Sequence, residues 1–491
     1  MKNNSTQLIM LTLALFFLSG CVKESFFDKK PKGQLSTDNF YKTEQHAVWA
    51  TNAIYNQLRS WDVHVFSYIG LTDIISDDSD KGSLPNDANF LRELDDFTFD
   101  PSNIAFLSVW KGYYHGIYRA NSVLDNVPGI DMDEELKARL LAEAHFLRAY
   151  YYFNLVRWFG DLPLVDHILT QDEYEQPRVS KDRIYEFIIN DLKAAAEVLP
   201  EKSAYAPADL GRVTKGAANG LLAKVYLTME DFAQAEIYAQ KVIDSQEYGL
   251  YPNYTKLFQQ EGENSNESIF EVQAASYEEG NFGSQYNEVQ GVRGTPNLGW
   301  GFNRPSDDFV TSFEPGDPRR DATILYVGET LPDGSAVVED NPNIFNERYN
   351  QKAWVANHPG GNGNGPGNIR ILRYADILLI AAEAMNENNK PNDALVLLEV
   401  VRARARQGNN FILPEITTTD KDVLRQKIWH ERRAELGMEQ HRWFDLVRQK
   451  RAATTLQALG KDFVENKHEL LPIPQSEIDL LGGVMTQNMG Y

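Results

Sequence analysis

The residues best suited to act on another molecule are aromatic side chains set among polar loop residues. Trp61, Phe66 and Tyr68 follow the first helical pattern. Tyr277, Phe282, Tyr286, Trp300 and Phe302 fall in a stretch rich in Gly and Asn, and Trp354 stands beside Gln351, Asn357 and His358. An indole or phenol ring offers a flat apolar face on which the C–H face of a sugar can stack. Nearby Asn, Asp, Gln and Arg can bind the hydroxyls, the mix of apolar platform and few placed polar groups that ligand pockets use. Trp61, Tyr68, Tyr277, Tyr286, Trp300 and Trp354 are therefore the candidate ligand-binding residues. The competing role for each is to pin a loop onto the core.

Covalent and metal chemistry finds no matching pattern. His430-Glu431 begins an HExxH, but Ala434 stands where the second His belongs. The glycine-dense stretch 360–367 matches neither dinucleotide nor P-loop spacing and reads as a flexible loop before a helix near Ile369. No GxSxG occurs. Asp77, Asp78 and Asp80 with Gly82 hint at a calcium loop, yet Ser79, Lys81 and Ala88 occupy ligand positions, so a solvated acidic loop is the simpler reading. No cofactor is expected, with a structural calcium ion left open. Asp307-Asp308 near Trp300 is the one acidic pair worth weighing for glycosidic cleavage, and adjacent acids on a loop usually just face water.

The N-terminus supplies an address. Lys2, the apolar run 8–18 and Ser19-Gly20-Cys21 form a secretory pattern too short to span a bilayer, with the chain's only cysteine directly after Ser-Gly. That arrangement resembles a bacterial lipobox, in which the Cys21 thiol is acylated and residues 1–20 are removed. Residues 21–42 then read as a polar, lipid-anchored tether. With one cysteine the mature chain has no internal disulfide and must rely on the core that its 491 residues can bury. Seventy acidic against 48 basic residues, a formal charge of −22, disfavour nucleic acid and anionic headgroups as partners.

The candidate residues must be positioned by helices. Helical spacing predicts elements after an N-cap at Thr43 and over 133–159, 180–199, 214–228, 231–245, 369–386, 392–406 and 419–448. Leu222, Ala223, Tyr226, Ala235, Ala239 and Val242 approximate the tetratricopeptide offsets, and Leu378, Ala381, Ala382, Ala394, Leu398 and Val401 repeat them. Residues 43–248 and 369–491 are thus read as helical regions flanking a loop-rich, ligand-binding excursion over 249–368. The fold class is mainly α, with tetratricopeptide-like helix pairs.

Several motifs in order carry a resemblance. They include Phe146-Leu147-Arg148-Ala149-Tyr150-Tyr151, Phe159-Gly160-Asp161-Leu162-Pro163-Leu164, Arg373-Tyr374-Ala375-Asp376, Glu431-Arg432-Arg433-Ala434-Glu435-Leu436, His441-Arg442-Trp443-Phe444-Asp445-Leu446, and Leu471-Pro472-Ile473-Pro474. The chain resembles the SusD/RagB nutrient-binding lipoproteins of Bacteroidetes over nearly all of its mature length. The charged members of these motifs read as ion pairs between helices, opposite charges meeting three or four residues apart. The resemblance implies a SusD-like fold and a non-enzymatic outer-membrane lipoprotein facing the cell exterior. It also implies a glycan ligand and a SusC-like TonB-dependent transporter as partner. The alternatives are a tetratricopeptide-type scaffold, a peptide-binding lipoprotein, or a lipid-anchored glycoside hydrolase.

Overall fold

The computed structural model describes residues 40–344 and 346–491. Cys21 and nearly all of the tether lie outside them.

Most predicted helices form where their caps stand. In α1 (Glu44–Leu58) the Thr43 hydroxyl accepts from the His46 amide, and Ala47, Ala50, Ile54 and Leu58 are buried. A helix the periodicity does not reveal, α2 (Ile104–Asn126), follows Asn103. Then come α3 (Glu134–Phe159), α4 (Lys181–Val198), α5 (Lys215–Thr228) and α6 (Phe232–Asp244), whose N-caps Asp133, Ser180, Thr214 and Asp231 each accept a backbone N–H. Each such cap satisfies a donor that the first helical turn leaves unpaired, contributing about 1 kcal/mol.

The C-terminal half departs from expectation in two places. Residues 369–373 are not the start of a helix but a buried strand; the helix α7 (Tyr374–Glu387) begins after it. After α8 (Pro391–Arg406), the predicted helix over 419–448 is two: α9 (Lys421–Leu436), capped by Asp420, and α10 (Arg442–Arg448). Between them Met438 and Gln440 adopt left-handed backbone angles, φ 63° and 64°, which an α-helix does not tolerate.

Consecutive helices from α2 to α8 pack on one another, and α9 lies on α7. The excursion leaves the stack after α6 and returns at α7, yet α6 packs directly on α7. The helix pairs therefore form one continuous layer from which the excursion projects. Among the described residues the strands form four two-stranded antiparallel sheets. Two matter here. Ser79–Gly82 (β1) pairs with Phe302–Pro305 (β5), and Ser268–Val272 (β4) pairs with Ile369–Arg373 (β8). The other strands are Leu162–Pro163 (β2), Arg178–Val179 (β3), Ile324–Tyr326 (β6) and Arg348–Asn350 (β7). No described helix is long and apolar enough to cross a membrane.

The charged motifs form ion pairs, but chiefly with remote partners. Arg373 reaches Glu267 and Glu435 at 2.7 and 2.6 Å and Glu439 at 2.7 Å, all buried. Arg432 joins Asp376 at 2.8 Å and Asp445 at 3.3 Å, and Arg319 joins Glu431 at 2.6 Å. Arg448–Asp445 follows the expected short spacing. A charge buried this deeply is tolerated because each guanidinium is matched by carboxylates and hydrogen bonds.

Candidate functional site: an aromatic cleft

Trp61 sits in a one-turn helix, Trp61–His64, laid directly on α2. Gly112 makes this possible: a Cβ there would stand 2.4 Å from the Asp62 carbonyl oxygen. The Ser108 hydroxyl donates to the Asp62 carboxylate at 2.6 Å, and the Gln57 amide donates to the Gly112 carbonyl at 3.1 Å. The indole is thereby fixed at the protein surface, 36% exposed.

Trp300 approaches from the excursion. Its backbone N–H donates to the Glu288 carbonyl at 2.8 Å, and the preceding Gly299 is obligatory, since a Cβ would lie 2.1 Å from that same oxygen. Gly301 has φ +74°, and its carbonyl accepts from the Ser83 N–H at 2.8 Å and the Asn346 side chain at 2.7 Å. This ties the turn to the end of β1, where Gly82 faces Phe302 in register.

The two indoles meet, with ring centroids 5.9 Å apart and planes at 58°. Phe66 backs both, at 5.2 Å from Trp61 and 5.8 Å from Trp300, and itself contacts Phe90 and Phe302 at 5.3 and 4.9 Å. An open cleft of about 680 Å³ runs over Phe66, Phe90, Trp300 and Phe302. Its polar margin is Asn86, Asp87, Arg293 and Asn297. Arg293 pairs with Asp87 and donates to the Ser83 hydroxyl at 2.5 Å, which fixes both edges of the margin. The Asp87 carboxyl is held below its ordinary range by its hydrogen bond from Arg293.

The other predicted residues divide. Tyr277 and Phe282 are exposed, 59% and 53%, and form an edge-on pair 5.8 Å apart. Arg59, at the end of α1, holds their loop by donating to the Asn281 and Gly283 carbonyls at 2.7 and 2.8 Å. The stretch 360–367 is not a free loop. It braces this segment: the Gly360 N–H donates to the Ser276 hydroxyl at 2.8 Å, and Ser284 pairs with Gly365. Tyr68 and Tyr286, in contrast, are 5% and 7% exposed and offer no face to a ligand. Tyr68 packs edge-on to His64 and Trp158, and the Tyr286 hydroxyl donates to Gln440 at 3.1 Å. Trp354 lines a separate cavity of about 30 Å³ and packs on Val292, Leu331 and Tyr349. It pins the excursion rather than reaching the cleft.

The acidic candidates also have structural partners. Asp77 and Asp78 are buried, not solvated: Arg442 reaches Asp77 at 2.7 Å, and Arg433 reaches Asp78 at 2.7 Å. Burial alone would raise the Asp77 carboxyl, but these two guanidinium groups hold it well below the carboxylate range. Asp80 pairs with Arg304 at 2.5 Å. Among the described residues no group of three or more His, Cys, Asp or Glu is arranged to hold a metal. Asp307 pairs with Arg348, and Asp308 pairs with Arg433 at 2.7 Å, so the tandem acids bridge elements of the scaffold. Phe90, Asn86, Asp87, Arg293 and Asn297 are cleft residues that sequence reasoning passed over. The signal available was Phe90 at the end of the polar run 83–90, the same aromatic-in-polar-loop pattern that marks Trp61.

A helical layer carrying a rigid aromatic cleft on its loops is the architecture of a binding protein. A family model described as "SusD family" matches residues 266–491, and one described as "Starch-binding associating with outer membrane" matches residues 26–227. SusD-like protein P2 of Formosa agariphila is 30% identical, with all of both chains covered. The chain belongs to the SusD/RagB family. Among solved structures, a laminarin-binding SusD-like protein is 30% identical and superposes with a TM-score of 0.81, covering 92% of this chain and 100% of that one. Surface glycan-binding protein A from Bacteroides thetaiotaomicron, in complex with laminarihexaose, is 26% identical with a TM-score of 0.76, covering 91% and 100%.

Proposed function

We propose that this chain is a cell-surface, outer-membrane lipoprotein that captures oligosaccharides or polysaccharides in the Trp61–Trp300 cleft and passes them to a SusC-like TonB-dependent transporter. The observation that carries the reading is the pair of surface indoles fixed over an open cleft whose margin is amide, carboxylate and guanidinium. Two platforms inclined at 58° suit a chain that curves from one ring to the next. The exposed Tyr277–Phe282 pair lies on the loop that Arg59, two residues before Trp61, anchors and offers a further aromatic surface. Similarity to proteins described as binding laminarin and laminarihexaose makes laminarin the first glycan to try. Cys21 is proposed as the lipidated residue. No turnover is proposed, because the tandem acids nearest Trp300 in sequence are engaged by arginines.

The test is titration of the protein with laminarin and a panel of other glucans, followed by assay of the mixture for reducing sugar. Saturable binding without release of reducing ends is expected. Absence of binding to every glycan would favour a scaffold or peptide-binding role, and steady release of sugar would make the protein a hydrolase.

A further inference from the structure

A second pocket, of about 320 Å³, opens away from the cleft where the end of α3, the first turns of α4, the α5–α6 turn and α10 meet. Val156, Phe444 and Leu470 give it apolar walls. Arg157 also lines it, with its guanidinium sandwiched between the rings of Phe153 and Phe444, 4.1 and 3.5 Å from their centroids. Its Nε donates to the Phe153 carbonyl at 3.2 Å and its Nη2 to the Asn154 side chain at 2.6 Å. Among the described residues no carboxylate pairs with it and Nη1 has no partner. Arg59, Arg119, Arg178 and Arg451 also lack an ion pair among the described residues, unlike the arginines of the buried ionic core. Arg319, Arg373, Arg432, Arg442 and Arg448 each meet at least one carboxylate within 3 Å. Burial depresses the pKa of Arg157, as expected of a desolvated cation without a counter-charge.

Two more donors share the pocket. Among the described residues the Tyr185 hydroxyl makes no hydrogen bond and the Lys181 ammonium pairs with nothing. The remaining charges nearly cancel. Arg448 is taken up by Glu383 and Asp445, Glu230 pairs with Lys450 at 2.8 Å, and the exposed Asp182 offsets one cation at the rim. One positive charge is left over, which selects a monoanion over a dianion. The volume lies at the small end of ligand pockets and suits a body of one ring.

We propose that this pocket binds a small ring-based monocarboxylate, with its carboxylate on Arg157, Tyr185 and Lys181 and its ring against Phe444. An aromatic acid and a sugar acid share this chemistry, and the site does not depend on the reading of the cleft. The test is calorimetric titration of the detergent-solubilised full chain with benzoate, glucuronate, glucose and sulfate. Saturable one-to-one binding of benzoate or glucuronate is expected, with none for glucose and sulfate. Which acid binds identifies the source. Arg157→Met should abolish that binding while leaving glucan binding at the cleft unchanged. If Arg157→Met does not fold, the paired rim changes Lys181→Ala and Tyr185→Phe must weaken binding by about tenfold or more, the scale of a charge-assisted hydrogen bond. Failure of both carboxylates to bind, equal affinity for sulfate, or binding that survives these substitutions would overturn the proposal.

Discussion

Replacing Trp300 by Ala should weaken glucan binding and also lower stability, and the two effects can be separated with Trp61. Trp300 is half-buried and its ring contacts Phe66 at 5.8 Å, so truncation removes packing as well as a platform. Full truncation of a buried Trp costs about 3–5 kcal/mol, and a half-buried one about half that. A Tm fall of roughly 1.5–2.5 °C follows for a chain of 491 residues. One lost stacking surface is worth about 1–2 kcal/mol, or roughly five- to thirtyfold in Kd. Trp61 is more exposed, 36%, so Trp61→Ala should lose comparable affinity for a Tm change nearer zero. Trp354→Ala serves as the control, expected to destabilise the excursion without touching affinity, since its ring packs in the separate cluster around Val292 and Tyr349. Calorimetry and thermal melts on the same preparations give both quantities. If folded Trp61→Ala and Trp300→Ala proteins each bind laminarin and the other glucans within twofold of the parent, the cleft is not the glycan site.

Gly299→Ala should reduce glucan affinity although Gly299 is buried and presents no side chain to a ligand, because the added carbon would displace the Trp300 turn from the Glu288 carbonyl; unchanged titration would refute the positioning role. Arg373→Met should destabilise by about 3–5 kcal/mol in urea denaturation, since it leaves Glu267, Glu435 and Glu439 buried with less counter-charge; a loss below about 1 kcal/mol would contradict the account of that cluster. Acid should unfold the protein through the same cluster. Burial raises the Glu439 carboxyl, but Arg373 and Lys352 outweigh it and bring the pKa down to about 2. Its folded value therefore lies below its unfolded one, and its stabilisation of about 3 kcal/mol is present above pH ~4.5 and lost as pH falls towards 2. Stability flat across pH 5 to 2 would be the wrong outcome. Cys21→Ala should move the protein from the membrane fraction to the soluble one and abolish labelling by fatty acid; retained labelling would place the lipid elsewhere.

Much of the frame was legible because caps and apolar spacing are local signals. Thr43, Asp133, Ser180, Thr214 and Asp231 all stand where the helices begin. The long helix α2 was not, because Gly112 and Gly116 interrupt its pattern for tertiary reasons: a Cβ at either would strike Asp62 or the Tyr151 ring at 2.4 Å. The break between α9 and α10 is also tertiary. It lets Gln440 donate to the buried Asp73 carboxylate from its backbone at 3.1 Å and its side chain at 2.8 Å. In the site, Trp61 and Trp300 were found by their polar neighbours in sequence, and the same rule failed for Tyr68 and Tyr286. Polar neighbours along the chain do not say which way a ring turns, and both of these turn inward.

The cleft depends on those invisible tertiary contacts more than on its own loops. Its two walls come from residues more than two hundred positions apart, and the β1–β5 ladder that joins them is short. What holds the ladder in place is the far end of the chain. Arg433 and Arg442 grip Asp77 and Asp78 just before β1, and the Ser306 hydroxyl, just after β5, donates to the Asp77 carbonyl at 2.5 Å. Asn303, within β5, donates to Asp73 at 3.0 Å, and Asp73 in turn accepts from Gln440. The charged motif that marks the fold therefore also sets the spacing of Trp61 and Trp300. Removing Arg442 strands the Asp77 carboxylate with only Arg433 beside it and frees the ladder from α10. An Arg442→Met protein that stays folded should accordingly bind glucan more weakly than the parent, although no atom of Arg442 lines the cleft. If its affinity is unchanged while its stability falls, the ladder is self-supporting and the ionic core serves the helical frame alone.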